Sequence, residues 1–312
     1  MHFTDRHPVN RRLTNPAAFR RLLWRSRGRD HSRGRCLVEL RSHATLCPCC
    51  EELSPQDFVA WEMEHRVGVH YIHDMTRLHT VEDQKRAAAE AALEYVKPGM
   101  KLGLGTGSTA EHFVRLLAPR VAGGLMLTAV ATSERTAALA RELGITVSDL
   151  GTVRHLDLTI DGADEIGPGL NLIKGGGGAL LREKIVAAAS DRMIVIADDA
   201  KVVEGLGRFP LPVEIVPFAW QVTMERIAEA AARCGCAQNL MRLRGGEGHA
   251  FRTDSGNFIA DCAADSIPDP ERMARMLEAI PGVVDHGLFI SMASVALVGS
   301  GSGVRVLEIA RH

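Results

Sequence analysis

Asp161, Asp164, Lys174, four glycines and Glu183 crowd into one stretch, LDLTIDGADEIGPGLNLIKGGGGALLREKIVAAAS, residues 156–190. An apolar run ends in Asp161 and Asp164, and a shorter one, Leu172-Ile173, ends in Lys174. Gly175 to Gly178 follow, and Glu183 lies one to two turns inside the helical pattern after them. These are residue types with chemical uses. A lysine ammonium stabilises a developing oxyanion. Glycines permit positive φ and let the backbone approach a ligand closely. Groups gathered at loop ends, on a scaffold of strands and helices, are where binding and catalysis concentrate.

A second loop, GLGTGST at residues 103–109, follows a strand pattern and precedes a helical one. Free N–H groups and the helix dipole make such a turn an anion site. Thr106, Ser108 and Thr109 add hydroxyls, and Gly107 lies among them. No lysine precedes the Ser/Thr pair as in a Walker loop, and Ser108 stands where the dinucleotide fingerprint has its third glycine. A small phosphate ligand is the better expectation. Lys201, beyond the strand end in IADDAKVV, would neutralise a phosphate at the mouth of the site, with Lys85 and Arg86 as weaker candidates. Each motif alone also fits a bland reading: a tight turn, an Asx-rich turn, a flexible connection, a solvated lysine. His112 and His155 have no partners at metal-ligand spacing and read as structural, and Cys234, Cys236 and Cys262 are assigned no chemistry.

The elements that must position these groups alternate. Thr80 and Asp83 resemble a capping box before a helix that stops at Pro98-Gly99. Strands are expected at 100–104, 125–131, 145–150, 156–160 and 193–197, with helices at 109–117, 134–143 and up to Ala189. Alternation of that kind indicates βαβ units. The expected fold is α/β: a Rossmann-like, mainly parallel sheet with helices on both faces. From Phe209 the character changes. FPLPVEIVP, with three prolines, suits an edge strand or crossing linker. Helix 219–234, strands 240–243 and 257–262 around a glycine-rich hairpin, helix 270–279 and strand 283–289 make a smaller α+β, ferredoxin-like lobe. The last strands return to the first sheet. The expected division is an extension at 1–74, a catalytic domain at 75–207 and 290–312, and a small domain at 208–289.

Composition narrows the class. A 312-residue chain that is 46% hydrophobic can bury a sizeable core. A net charge of −1 argues against a general nucleic-acid or membrane-surface binder. No apolar run approaches the roughly 18 residues of a membrane span. Seven cysteines in no framework pattern point to a reducing compartment. Residues 1–50 are different, with eleven Arg and no Lys, and Cys36, Cys47, Cys49 and Cys50 near His31 and His43. A zinc site, a DNA-contacting arm and a transit peptide are alternatives there. The preferred reading is a poorly ordered extension or an upstream stretch from a misplaced start, with Met75 as the alternative start.

Taken together, the motifs resemble ribose-5-phosphate isomerase of the A type. The resemblance runs from about residue 76 to residue 312 through GTGST, TSERT (Thr132–Thr136), TIDGADEI, LIKGGGGALLREK, FPLPVE and IPGVVDHGLF, in order. RTDSGNF departs mildly, with Ser255 where the family usually has Asn. The resemblance implies reversible aldose–ketose isomerisation of D-ribose 5-phosphate to D-ribulose 5-phosphate, in the non-oxidative pentose phosphate pathway, with no metal and no organic cofactor. It implies that Glu183, in the REK motif, is the general base. It places substrate contacts on Thr106, Gly107, Ser108 and Thr109, on Asp161, Gly162, Ala163 and Asp164, on Lys174, Gly175, Gly176 and Gly177, and on Lys201. The chemistry of the residues agrees. A carboxylate near other carboxylates is a suitable base, Lys174 and the loop amides suit an enediolate, and Asp161 or Asp164 could move the ring-opening proton. The expected partner is a small sugar phosphate, with no nucleic acid and no membrane, in a cytoplasmic homodimer or homotetramer. A non-enzymatic sugar-phosphate sensor and a coenzyme A transferase on a related fold are the competing readings.

Overall fold

The computed structural model describes residues 36–37, 67–73 and 80–309. The questions about Met75 and about the Cys and Arg residues before it, beyond two short segments, fall outside those residues. The main sheet has eight strands: β1 (Cys36–Leu37), β2 (Val67–His73), β3 (Lys101–Leu104), β4 (Thr128–Ala131), β5 (Leu158–Asp161), β8 (Met193–Asp198), β14 (Ala293–Ser300) and β15 (Gly303–Ile309). Their order is β1-β2-β15-β14-β8-β5-β3-β4. The five strands β14-β8-β5-β3-β4 are mutually parallel, and β15, β2 and β1 add an antiparallel edge. The sequence reading starts coherent structure near residue 75, whereas β2 precedes that point and pairs with β15 from Val304 to Ile309.

Strand alternation sends side chains to two faces. Ile194 and Ile196 join a core with Leu102, Leu104, Ile160 and Phe113, under helices α1 (Val81–Ala92) and α2 (Ser108–Ala122). Met193, Val195 and Ala197 face the other way, onto Ala187, Leu172 and Phe289. The sheet is thus covered on both faces, as the sequence predicts. Helix α3 (Glu134–Glu142) is capped by Ser133, and a single turn, α4 (Leu150–Val153), follows. Helix α5 (Leu180–Ala188) closes the second face. A small antiparallel sheet lies beside it, made of β6 (Glu165–Ile166), β7 (Leu172–Ile173) and β13 (Leu288–Phe289). Among the described residues no helix is long and apolar enough to cross a membrane.

The small lobe reads β9 (Leu211–Ile215), α6 (Trp220–Arg233), β10 (Leu240–Leu243), β11 (Phe258–Ala263), α7 (Pro270–Glu278) and β12 (Val283–His286). Its antiparallel order, β10-β11-β9-β12, is that of a split βαβ, ferredoxin-like unit. Ile227, Ala231, Met273 and Leu277 pack on Leu211, Val213, Ala260 and Cys262.

Some boundaries differ from expectation, each for a local reason. In place of a strand at 145–150 there is an isolated bridge, Val147 to Ala129, and Leu150 already begins α4. Helix α2 runs past Pro119, whose missing N–H removes one bond near the last turn. The proline-rich β9 is no edge strand, because it lies between β11 and β12. The Pro212 carbonyl accepts the Gly287 N–H at 2.7 Å. A strand residue presents its N–H on the same side as its carbonyl, so the donor that Pro212 lacks falls on the Gly287 side and the β11 ladder loses nothing.

Candidate active site

Three parallel strands end at one place. β3 runs into Gly105–Thr109, β5 ends in Asp161, and β8 ends in Asp198 before Lys201. The chain leaves β3 for β4 on one side, then returns to β5 on the other. The gap between β3 and β5 is therefore the topological switch point, where open α/β sheets bind ligands. The Thr106 N–H donates to Asp161 Oδ1 at 3.0 Å and bridges that gap. A side chain at Gly105 would lie 2.1 Å from the same oxygen, so only glycine fits.

The turn is braced from behind. Thr106 Oγ1 lies 2.7 Å from Thr132 Oγ1 and donates to Ser133 Oγ at 2.8 Å. Thr132 and Thr136 donate to the Leu104 and Gly105 carbonyls. The TSERT block thus holds the shape of GTGST from the end of the adjacent strand. Gly107, at φ +110°, leads directly into α2.

The charged centre is buried. Lys174 is 2% exposed, Asp161 0% and Glu183 4%. Lys174 Nζ lies 3.0 Å from Asp161 Oδ2, 3.3 Å from Glu183 Oε1 and 2.6 Å from the Gly162 carbonyl. Asp161 Oδ1 also accepts the Gly162 N–H at 2.7 Å. Glu183 Oε2 is buried without a hydrogen-bond partner among the described residues. Helix α5 begins at Leu180, so Glu183 sits in its first turn rather than one to two turns in.

One lysine cannot neutralise two carboxylates, and burial penalises every charge. Burial is the main cause that raises Glu183, to about 8; Lys174 opposes the rise, and Asp161 and Asp164 add to it. Burial also raises Asp161, while Lys174 and two backbone N–H groups oppose it. Burial alone would depress Lys174, but Asp161 and Glu183 outweigh it and its pKa is raised. The pattern is a permanent cation, a carboxylate fixed by donors, and a second carboxylate whose free oxygen titrates near neutrality.

A cleft of about 610 Å³ opens onto this centre. Thr106, Gly107, Ser108, Thr109, Gly162, Ala163, Asp164, Lys174, Gly175, Gly176, Gly177, Glu183 and Lys201 all line it. Asp161 does not; it lies behind, against Lys174. Asp164 Oδ2 accepts the Gly176 N–H at 2.7 Å. Lys85, a weak candidate from sequence, lines the cleft, as do Asp198, Arg208 and Phe209, which sequence reasoning passed over. Asp198 carried the same signal as Lys201, a position at a strand end. Arg208 stands one residue before FPLPVEIVP, where no motif marks it. His112 meets Glu82 Oε2 at 2.8 Å and His155 meets Asp191 Oδ1 at 3.1 Å, both away from the cleft lining. Among the described residues no three His, Cys, Asp or Glu side chains gather as metal ligands.

A poised carboxylate, a buried ammonium and glycine-loop amides at a switch point are the equipment of an α/β enzyme that moves protons next to a carbonyl. Comparison with known proteins narrows the class. The family model for ribose 5-phosphate isomerase A (phosphoriboisomerase A) matches residues 128–303. Ribose-5-phosphate isomerase A of Parvibaculum lavamentivorans is 60% identical over 227 residues, 73% of this chain and 98% of that one. The Rhodopseudomonas palustris protein of the same name is 58% identical over 73% of this chain and 98% of its own. Among solved structures, a D-ribose-5-phosphate isomerase in complex with phospho-erythronic acid has a TM-score of 0.68 at 38% identity, covering 73% of this chain and 99% of that one. Ribose 5 phosphate isomerase A from Neisseria gonorrhoeae has a TM-score of 0.67 at 37% identity, over 75% and 100%. The chain belongs to the ribose 5-phosphate isomerase A family.

Proposed function

We infer that this chain interconverts D-ribose 5-phosphate and D-ribulose 5-phosphate, an aldose–ketose isomerisation of the pentose phosphate pathway, and that Glu183 carries the proton. The observation behind the assignment is the unpartnered Glu183 Oε2, buried beside Lys174 on the cleft. Glu183 takes the proton from C2 of the open-chain aldose, and the electron pair moves onto O1 to give a 1,2-enediolate. Lys174, itself buried, and the loop amides stabilise that charge. A proton passes from O2 to O1, Glu183 returns its own to C1, and the carbonyl stands at C2.

Asp164 is the better candidate for ring opening, because it lines the cleft and Asp161 does not. Asp161, with Oδ1 on two backbone N–H groups and Oδ2 ion-paired to Lys174 at 3.0 Å, holds Lys174 in place. The phosphate rests on Thr106–Thr109, with Lys201 and Lys85 at the same cleft. Base, cation and amides all come from the chain itself, so this mechanism calls for no cofactor.

A cytoplasmic homodimer or homotetramer goes with this reading. Exposed Val216, Phe218 and Val222 on the small lobe suit self-association, and sedimentation of the purified chain measures it. The activity is tested by following ribulose 5-phosphate formation from ribose 5-phosphate in a coupled assay. Turnover at ordinary enzyme rates is expected, and its absence in folded protein refutes the assignment.

A further inference from the structure

The glycine loop has no side chains of its own, so its shape must be imposed from outside. Four glycines in sequence are conformationally permissive, and ordering them costs entropy. The small lobe supplies the constraint. Arg244, just beyond β10, grips Asp261 of β11 with two bonds, Nε to Oδ2 at 3.0 Å and Nη2 to Oδ1 at 2.5 Å. Its remaining nitrogen, Nη1, donates to the Gly175 carbonyl at 2.9 Å and the Gly176 carbonyl at 3.2 Å. The fork of a guanidinium permits this double attachment; a lysine ammonium has no such geometry. Phe251 completes the platform. Its ring lies 5.8 Å from the Arg244 guanidinium and so close to Gly178 that a side chain there would meet it at 2.4 Å.

The planarity of the peptide turns these carbonyl bonds into a statement about donors. In a trans peptide the C=O and the next N–H point in opposite directions. The Gly175–Gly176 peptide has its oxygen on Arg244 and its N–H on Asp164 Oδ2, at 2.7 Å. A cation, a peptide dipole and a carboxylate of the cleft are thus in line. The Gly176–Gly177 peptide has its oxygen on Arg244 too, so the Gly177 N–H points away from the small lobe. Gly177 lines the cleft, and no acceptor among the described residues takes that N–H.

We propose that Arg244 is a positioning residue for the isomerisation: it orients the glycine-loop peptides so that the Gly177 N–H is preset as a donor to the enediolate and Asp164 is held at the cleft. This rests on the function assigned above. The role is indirect, since Arg244 does not line the cleft. The donor matters most when negative charge develops on the substrate, so its loss is a loss of kcat more than a rise in KM.

The test uses full-length protein, with the wild type assayed alongside. If the wild type does not isomerise ribose 5-phosphate, the functional reading fails; the Arg244 proposal is judged only against an active wild type. Arg244→Ala should lower kcat by about 10²-fold, the scale of a roughly 1 Å misplacement, with KM changed only a few-fold. Added guanidinium at millimolar concentration should restore part of kcat by refilling the site between Asp261 and the loop, while ammonium should not. Folded R244A with wild-type kcat overturns the proposal, and so does a kcat that guanidinium leaves unmoved. If R244A does not fold, Arg244→Lys decides. It keeps the charge and loses the fork, so a fall in kcat of at least severalfold at unchanged thermal midpoint supports the proposal, and wild-type kinetics overturn it.

Discussion

Two lysines face the same aromatic ring in this protein and have different lives. Lys174 Nζ lies 5.4 Å from the centroid of the Phe289 ring and Lys184 Nζ lies 5.0 Å from it. Both sit within reach of carboxylates. Lys184 donates to Asp285 Oδ1 at 2.5 Å and to the His286 carbonyl at 2.6 Å, with His286 Nδ1 at 3.4 Å. Burial pulls Lys184 down in pKa, with Asp285 opposing. Burial, then the Lys184 charge, pushes His286 down to about 4, so it is neutral at ordinary pH. Around Lys184 one cation meets one close carboxylate. Around Lys174 one cation meets two, and the surplus carboxylate keeps an oxygen without a partner on a cleft. Burial of charge does not make a site. Surplus charge beside an open volume does.

The sharpest way to break that comparison is Glu183→Gln, which removes the surplus and keeps the shape. We expect kcat to fall by about 10²–10⁴-fold, the range of general-base catalysis, with KM little changed. Turnover near the wild-type level would move the base elsewhere and make the two clusters equivalent. The same variant has a stability signature. The folded pKa of Glu183, about 8, lies above its ordinary value of 4.5. Its stabilising contribution is therefore fully present below about pH 4.5 and lost as pH rises through about 8. Glutamine does not ionise. The E183Q thermal midpoint should exceed that of the wild type above pH 8, and the gap should close in acid.

The second measurement is the pH dependence of kcat/KM, which reports ionisations of the free enzyme. The base must be unprotonated to act. With Glu183 at about 8, kcat/KM should rise with pH and level off above that value. Two units lower, at about pH 6, it should be roughly a hundredfold below its plateau, one decade per unit. A profile flat from pH 5 to 9 would mean that the carboxyl titrates at an ordinary value and that the surplus has no consequence.

The same pair of lysines shows what could be read without coordinates. Glu183 and Lys184 are neighbours in one REK motif, and nothing local distinguishes a residue that faces the cleft from one that faces β12. Most cleft residues are legible because they sit near the end of an apolar run or in a glycine-bearing turn, and such ends converge in a parallel sheet; Glu183 is legible only by its place in the helix after the glycine loop. The parallel order itself followed from alternating strand and helix patterns. Distances across the sheet were not legible. Asp161 and Asp164 read as equivalent, yet one lies behind Lys174 and the other lines the cleft. Arg244 reaches the loop from nearly seventy residues away, and no spacing rule signals it. Pro212 suggested an edge because prolines lack a donor, but the missing donor faces Gly287, where nothing is lost. The strand Val67–His73 is not legible, because the segment before it is Arg-rich and has little apolar periodicity.

The smallest expected effect on catalysis tests the other half of the comparison. Lys184→Met keeps most of the side-chain length against Phe289 and removes the charge. Asp285 and the His286 carbonyl then lose a donor in a partly buried place, where Lys184 and Asp285 are 18% and 20% exposed. A cost of about 1–3 kcal/mol follows from leaving such groups unpaired, seen as a thermal midpoint several degrees lower. Catalysis should change only a few-fold, with the pH profile unmoved, although Lys184 is covalently next to Glu183, the proposed base. Helix α5 has other anchors: Leu180, Val186 and Ala187 are buried, and Arg182 binds Glu134 Oε1 at 2.8 Å and the Asp254 carbonyl at 3.3 Å. Glu183 should therefore keep its place beside Lys174 when Lys184 is gone. A kcat loss in K184M as deep as that of E183Q would show instead that the two clusters act as one unit through Phe289.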